Sequence, residues 1–108
     1  MGNLSINAGF DTERTVTAAF TGSYQAVGTA LTQNPVIIIF DNQSTVTVTV
    51  SVDGVNAWKT FVTSEALLLD LRANNGTAPN FSIPIGTQFY VSGTGGTGQF
   101  SIAVIYAK

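Results

Sequence analysis

Residues 93–98 have the spacing of a nucleotide-binding loop. They read Gly-Thr-Gly-Gly-Thr-Gly, which fits the G-x-G-x-x-G pattern that lets a backbone approach a pyrophosphate closely. That chemistry also requires a helix directly after the loop and an acidic residue about 20 positions further on. A strand-like, alternating segment follows instead. We therefore expect a mobile hairpin connection between two strands, in which the glycines supply positive φ angles.

Other residue types that carry chemistry are sparse. Asp11 and Glu13 could form a pair of metal ligands, but nothing nearby in the sequence completes a site. The chain has no Cys and no His, which removes thiol nucleophiles, imidazole bases and most transition-metal sites, and leaves its Ser and Thr without their usual activating base. The sequence thus predicts no catalytic, cofactor-binding or metal-binding residue, and a protein that is not an enzyme.

Charge is low and dispersed. The net charge is -2, and the four basic residues, Arg14, Lys59, Arg72 and Lys108, are scattered, so we expect no nucleic-acid partner. No apolar run reaches the roughly 18 residues of a membrane span, and the first residues do not resemble a secretion signal. Charged residues make up 9% of the chain, against about 25% in typical domains. Its surface must be rich in uncharged polar groups or be covered by other chains.

The aromatic residues leave several roles open. Trp58 lies beside Lys59, and Tyr24, Tyr90 and Tyr106 combine a ring with a hydroxyl. Exposed, such side chains could stack on sugar rings or anchor a protein interface; buried, they would cap a core. A coplanar set of exposed aromatics near Trp58 would favour carbohydrate binding.

The elements that must position these residues show a period of two. In Thr45–Val52, Val46, Val48, Val50 and Val52 alternate with hydroxyl residues, and the turn signal Asp53-Gly54 follows. A slip of one residue would bury the hydroxyls, so we expect all four valines to face inward.

Turn signals at short intervals separate seven to nine such segments. This pattern predicts an all-β protein, an antiparallel β-sandwich or jelly roll, over residues 16–108, with an arm or irregular segment at residues 1–15. The segment 64–73 has good helix formers and a potential cap at Ser64, but its alternating leucines favour a strand. The expected core also includes Phe40, Leu69, Phe89, Phe100, Ile102 and Val104.

The segment Val36–Phe40 is apolar on both faces. In a two-layer sandwich the outer face of a sheet normally meets water, so this strand needs a second cover. A loop, the N-terminal arm or another subunit could supply it, and the low charge favours another subunit. We expect the partner interface to include Leu4, Ile6, Phe10, Val36, Ile38 and Trp58.

Several short phrases of the sequence resemble those of one group of proteins. They are residues 39–44 (Ile-Phe-Asp-Asn-Gln-Ser), 51–54 (Ser-Val-Asp-Gly), 70–74 (Asp-Leu-Arg-x-Asn), 83–91 (Ile-Pro-Ile-Gly-Thr-Gln-Phe-Tyr-Val) and 98–106 (Gly-Gln-Phe-Ser-Ile-Ala-Val-Ile-Tyr). From about Gly22 to Tyr106 the chain is similar to small β-rich accessory head proteins of tailed bacteriophages, the capsid decoration or cement proteins.

The resemblance implies a homotrimer, without cofactor, bound to the major capsid protein of an assembled head. Such a protein is made in the cytoplasm of the bacterial host and ends on the capsid surface of the virion. Related phrases occur in phage tail and fibre modules, so the alternative is a carbohydrate-binding or tail and fibre β-sandwich involved in host recognition.

Overall fold

A computed structural model describes residues 8–71 and 83–107 of the protein. Two of the predicted partner residues, Leu4 and Ile6, lie outside this part of the chain. No helix long and apolar enough to cross a membrane occurs among the described residues.

The described residues form eleven strands and no helix, which confirms the all-β prediction with more strands than the seven to nine expected. In chain order the strands are β1 (Ala8–Phe10), β2 (Arg14–Thr17), β3 (Phe20–Thr21), β4 (Gln25–Ala26), β5 (Pro35–Asn42), β6 (Val48–Ser51), β7 (Ala57–Phe61), β8 (Ala66–Asp70), β9 (Tyr90–Ser92), β10 (Thr94–Gly95) and β11 (Gln99–Ala107).

Two antiparallel sheets pack face to face. The first sheet has the order β1-β11-β5-β8, with β2 also paired to β11, and the second has the order β4-β9-β6-β7. The short strands β3 and β10 form a separate pair. Phe40 of the first sheet meets Phe61 of the second, with ring centroids 5.9 Å apart, and meets Phe89 edge to face at 5.5 Å. The core therefore lies between the two sheets.

The core contains nearly all the residues predicted for it. Its buried apolar side chains are Ala18, Phe20, Val27, Leu31, Ile38, Phe40, Val48, Val50, Phe61, Leu71, Phe89, Val91, Phe100, Ile102 and Val104. Leu69 is partly buried and packs against this cluster.

The valine and threonine strand is shorter than its pattern. Val48 and Val50 are fully buried in β6 and Val46 is partly buried, but Val52 is 50% exposed, so the prediction that it faces inward is wrong. The pairing with β7 shifts register between Val50 and Ser51, where β7 contains one additional residue, and β6 ends at Ser51, directly before Val52. Ser51 takes the buried position, and its Oγ accepts the N–H of Gly54 at 2.9 Å.

Two ambiguous segments are resolved. Residues 66–70 form strand β8, as the leucine alternation predicted, and Ser64 lies in the turn before it with φ 68°. The hairpin prediction for residues 93–98 is wrong, because this stretch leads from β9 in the second sheet to β11 in the first and pairs with β3 on the way. A Cβ on Gly98, where φ is 87°, would collide with the carbonyl oxygen of Gln43. The close approach of the two chain segments therefore requires a glycine there.

The first sheet begins earlier than the sequence indicated. Ala8–Phe10 and Arg14–Thr17 both pair antiparallel with β11. The described part of the predicted N-terminal arm thus belongs to the sandwich, because these residues supply backbone partners to an edge that β11 would otherwise leave open.

Candidate partner-binding surfaces

One part of the outer side of the first sheet is apolar, although no layer of described residues covers it. The register places Phe10 beside Ile105 and Ile105 beside Ile37, and in the next row it places Ala103 and Leu68 on either side of Ile39. Residues paired across antiparallel strands project from the same face. We call this surface the apolar outer face, formed by Phe10, Ile37, Ile39, Leu68, Ala103 and Ile105.

The apolar outer face is open to solvent at its two margins. Phe10 is 76% exposed on β1 and Leu68 is 57% exposed on β8, while the four residues between them are half-buried by their neighbours in the sheet. Asp41 and Asp70 are the charged residues that the registers of β5 and β8 place on this side. An exposed apolar surface with few charges is typical of a surface that another protein covers.

The predicted partner residues divide between the two sides of the sheet. Ile38 is fully buried in the core between the sheets. The prediction that Ile38 meets a partner does not fit this burial, and Ile37 and Ile39 hold the outward positions of the same strand because side chains alternate along it. Val36 is half-buried at the start of β5, and its carbonyl accepts the Leu71 N–H at 2.9 Å.

Trp58 lies at a second apolar surface, a groove between the two sheets. The groove has a volume of about 310 Å³ and is lined by Phe40, Val52, Trp58, Leu69, Ile83 and Phe89. The Trp58 ring packs on Phe40 with centroids 5.3 Å apart and remains 46% exposed. An apolar side chain of a partner or the flat face of a sugar ring would fit such a surface.

The position of Trp58 follows from the β-bulge in the second sheet. Val50 pairs with Lys59 and Ser51 pairs with Ala57, so Trp58 is the additional residue of β7. A bulge can re-aim a side chain, and here it accompanies the packing of Trp58 against Phe40 at the margin of the core. Sequence alternation contained no signal for this, because an extra residue is visible only once the partner strand is known.

A coplanar set of aromatics is not present at this groove in the described part of the chain. Trp58 is the one exposed aromatic side chain there, since Phe40 and Phe89 are buried beneath it. The nearby Tyr90 is half-buried and its ring lies against Gly54. Among the described residues, the groove therefore offers one exposed aromatic ring to a sugar, and not the coplanar set that would favour carbohydrate binding.

An ion pair links strand β7 to the turn before strand β8. Lys59 Nζ lies 3.1 Å from Glu65 Oε2 and 4.6 Å from the centre of the Phe61 ring. Glu65 Oε1 accepts the Val62 N–H at 2.9 Å. The Val62 hydrogen bond and then the Lys59 ammonium lower the pKa of Glu65 below its usual value.

Arg14 has a role that the sequence did not indicate. Its side chain is buried, and its guanidinium donates to the carbonyl oxygens of Thr29 at 2.7 Å and Ala30 at 3.2 Å and to Asp11 Oδ2 at 3.1 Å. Asp11 therefore forms an ion pair with Arg14, and among the described residues no group of His, Cys, Asp or Glu side chains is arranged to hold a metal ion. The sequence signal for the burial of Arg14 was its spacing: it lies two residues before Val16 and so projects from the same side of the strand.

Comparisons with known proteins give no relative from which the role of these surfaces could be inferred. No protein-family model matches the chain, and no curated protein matches it. The function must therefore be inferred from the apolar outer face, the Trp58 groove and the sequence phrases.

Proposed function

We propose that the protein is a structural virion protein, a capsid decoration or cement protein that binds the assembled head of a tailed bacteriophage and has no enzymatic activity. The apolar outer face of the first sheet is the observation that carries this proposal. The sequence phrases support the phage class, the homotrimeric state and the position on the capsid surface.

The apolar outer face suits a contact with the major capsid protein. Its central residues, Ile37, Ile39, Ala103 and Ile105, belong to paired strands, so little conformational entropy is lost when a partner covers them. Fully burying one large apolar side chain contributes roughly 1.5–3 kcal/mol. The shortage of basic residues on this side favours a protein partner over DNA.

The mechanism is mass action. A protein that binds the assembled shell and not its free subunits stabilises the shell in proportion to its own concentration. Many copies repeat the same contact over the shell, so modest single contacts sum to a strong effect. Neither a cofactor nor a nucleophile is needed.

Co-sedimentation with isolated phage heads and with isolated tails tests the proposal. We expect the protein to sediment with heads and not with tails. Ile39→Thr on the apolar outer face should weaken head binding at least about tenfold, equivalent to about 1.4 kcal/mol. Thr49→Val, which lies on the opposite side of the sandwich, serves as the matched control and should bind normally. Binding to tails alone, or equal effects of the two substitutions, would contradict the proposal.

Carbohydrate binding in host recognition is the second candidate, because Trp58 is partly exposed in an apolar groove. Trp58 is the only Trp of the chain, so its fluorescence reports on this groove directly. The cement proposal predicts no saturable change on titration with host surface oligosaccharides. A saturable change would favour the sugar-binding module.

A further inference from the structure

The turn after strand β6 contains the one Asp-Gly sequence of the chain, Asp53-Gly54. Glycine has no side chain to shield its backbone nitrogen, so in an unfolded chain the nitrogen of Gly54 can attack the side-chain carbon Cγ of Asp53. Such attack is a spontaneous reaction of aspartate, and a following glycine makes it fast. Asp53 is exposed and Gly54 is half-buried, so water reaches the turn. The turn is therefore a position at which the backbone itself can be modified.

The reaction exchanges one backbone linkage for another without an added reagent. The Gly54 nitrogen forms a bond to Cγ of the protonated Asp53 carboxyl, and the carboxyl hydroxyl leaves with the amide proton as water. The product is a succinimide ring, to which water then adds. Addition at Cγ breaks the new bond and restores aspartate, whereas addition at the backbone carbonyl carbon breaks the original peptide bond and leaves isoaspartate.

Ser51 binds both of the reacting groups. This serine is fully buried, and its hydroxyl donates to Asp53 Oδ1 at 2.8 Å and accepts the Gly54 N–H at 2.9 Å. The hydroxyl also accepts the N–H of Asp53 at 3.2 Å. One side chain thus fixes the attacking nitrogen and a carboxylate oxygen at the same time. The Gly54 nitrogen must give up its bond to Ser51 before it can reach Cγ.

The other hydrogen bonds of the turn keep the carboxylate ionised. Asp53 Oδ1 accepts the N–H groups of Asn56 and Val55, both at 2.8 Å, and Oδ2 accepts the Asn56 side-chain amide at 2.9 Å. Hydrogen bonds to the charged form hold the pKa of Asp53 well below its usual range. An ionised carboxylate has no hydroxyl that can leave as water, so it resists attack by the Gly54 nitrogen.

We propose that Asp53-Gly54 is a site of isoaspartate formation and that the Ser51 hydroxyl suppresses the reaction in the folded protein. The position of Ser51 comes from the sheet, because it ends β6 between Ala57 of β7 and Tyr90 of β9. The Tyr90 ring also packs against Gly54, where an added Cβ would lie 3.6 Å from it. The inference concerns the chemical lifetime of the protein, so it goes beyond the proposed function and does not depend on it.

Isoaspartate at this turn would alter the Trp58 groove. It places one additional carbon atom in the backbone and takes the Asp53 carboxylate away from its hydrogen-bond donors. Val52, the preceding residue, lines the groove, and the turn joins β6 to the strand that carries Trp58. We therefore expect the fluorescence of Trp58 to change as isoaspartate accumulates, which gives the reaction a second readout.

Prolonged incubation at about pH 5 tests the proposal, because a free carboxyl with a pKa of about 4 is still partly protonated there. Peptide mapping by liquid chromatography and mass spectrometry measures isoaspartate at residue 53 separately from changes elsewhere. We expect the unaltered folded protein to form it at least about tenfold more slowly than the same protein in urea. Ser51→Ala should raise the rate in the folded protein at least about tenfold, because it removes a hydrogen bond to a charged group.

Two control variants separate the Ser51 hydroxyl from general effects. Ser101 is also a buried strand serine, on β11, and Ser101→Ala leaves the turn intact. Asn42→Ala removes a buried amide that donates to the carbonyl of Val46, so it lowers stability at a distance from Asp53. Both variants should form isoaspartate as slowly as the unaltered protein.

Asn56→Ala is a milder variant of the turn. Asn56 is exposed, and its truncation removes only the side-chain bond to Asp53 Oδ2. We expect a rate between those of the unaltered protein and Ser51→Ala. Equal rates for Ser51→Ala and Ser101→Ala, or a folded protein that reacts as fast as the protein in urea, would overturn the proposal. If Ser51→Ala does not fold, an Asn56→Ala rate equal to that of the unaltered protein overturns it instead.

Discussion

The two sheets differ in the side that they turn away from the core. On the second sheet, Thr49 pairs with Thr60 and Ser92, and the two threonine hydroxyls lie 3.2 Å apart. On the first sheet, the equivalent positions hold Ile37 and Ile39. Both sheets bury a similar inner surface of valine, isoleucine and phenylalanine, so the core alone does not explain the isoleucines outside.

This difference separates what folding needs from what a partner needs. Alternating apolar and hydroxyl residues suffice to build a half-buried strand, as β6 shows. A second apolar side adds little to a single chain in water and becomes stabilising only when something covers it. We therefore expect the outer side of the first sheet to bind a partner and the outer side of the second sheet to face solvent.

The largest expected effect is the difference in stability loss between substitutions on the inner and outer sides of strand β5. Phe40 is fully buried and touches Trp58, Phe61 and Phe89, so Phe40→Ala should lower the free energy of unfolding by about 3–5 kcal/mol. Ile39→Ala on the outer side should cost only about 1 kcal/mol. Urea unfolding of the isolated protein measures both. Similar losses for the two variants would mean that the outer side is already covered within the chain.

A somewhat smaller loss is expected at the polar junction between the sheets. Asn42 at the end of β5 is fully buried, and its amide nitrogen lies 3.0–3.1 Å from the carbonyl oxygens of Val46, Phe61 and Val62. Asn42→Ala should cost about 2–3 kcal/mol, because these buried carbonyls lose their donor.

The adjacent residue on the outer side is the control for Asn42. Among the described residues, the Asp41 side chain accepts a hydrogen bond from the Gln43 side-chain amide alone, in an exposed contact at 2.9 Å, so Asp41→Ala should change stability by less than about 0.5 kcal/mol. Chemical denaturation of both variants would test this. Equal losses would show that the Asn42 bonds do not tie the sheets together.

A smaller change is expected on the polar side of the second sheet. Thr49→Val removes the exposed hydroxyl contact with Thr60 and should alter the free energy of unfolding by about 0.5 kcal/mol. Thermal unfolding measures this, with Thr60→Val as the companion variant, which should give a similar shift. A large loss from either would assign this side a structural role that its exposure does not suggest.

The pH dependence should be modest and lie on the acid side. The N–H groups of Asn56 and Val55, followed by the side chains of Asn56 and Ser51, hold the pKa of Asp53 well below its usual range. The pKa of Glu65 is lowered as well. Because the folded state binds these protons more weakly than the unfolded chain, their contribution is complete above the ordinary carboxyl pKa of about 4 and is lost as the pH falls through the folded values.

Asp53→Asn tests the larger of these two pKa changes. The urea midpoint of the unaltered protein should fall between about pH 5 and about pH 2, and the variant should show a flatter fall together with a lower midpoint at neutral pH. Glu65→Gln should flatten the same range to a smaller extent. If Asp53→Asn leaves the fall of the urea midpoint at acid pH unchanged, the turn at Asp53 does not contribute to the pH dependence of stability.

Much of the fold could be predicted because local periodicity reflects local structure. The alternation of Val48 and Val50 with threonines marked β6, the leucine alternation marked β8, and the apolar segment Val36–Phe40 marked part of β5. The sequence also placed Phe10 and Trp58 at a partner interface, which stays a prediction; both side chains are exposed.

Register and sheet membership were decided only by the tertiary structure. Which isoleucine of β5 faces outward depends on its pairing with β11 and β8, strands distant in sequence. One additional residue in β7 turned Trp58 toward Phe40 and accompanied the exposure of Val52 and the burial of Ser51. The buried bonds of Asn42 and Arg14 also join segments far apart in sequence. A periodic pattern describes consecutive residues, whereas a bulge, a buried polar bond or a free strand edge is a relation between segments that exists only after they pair.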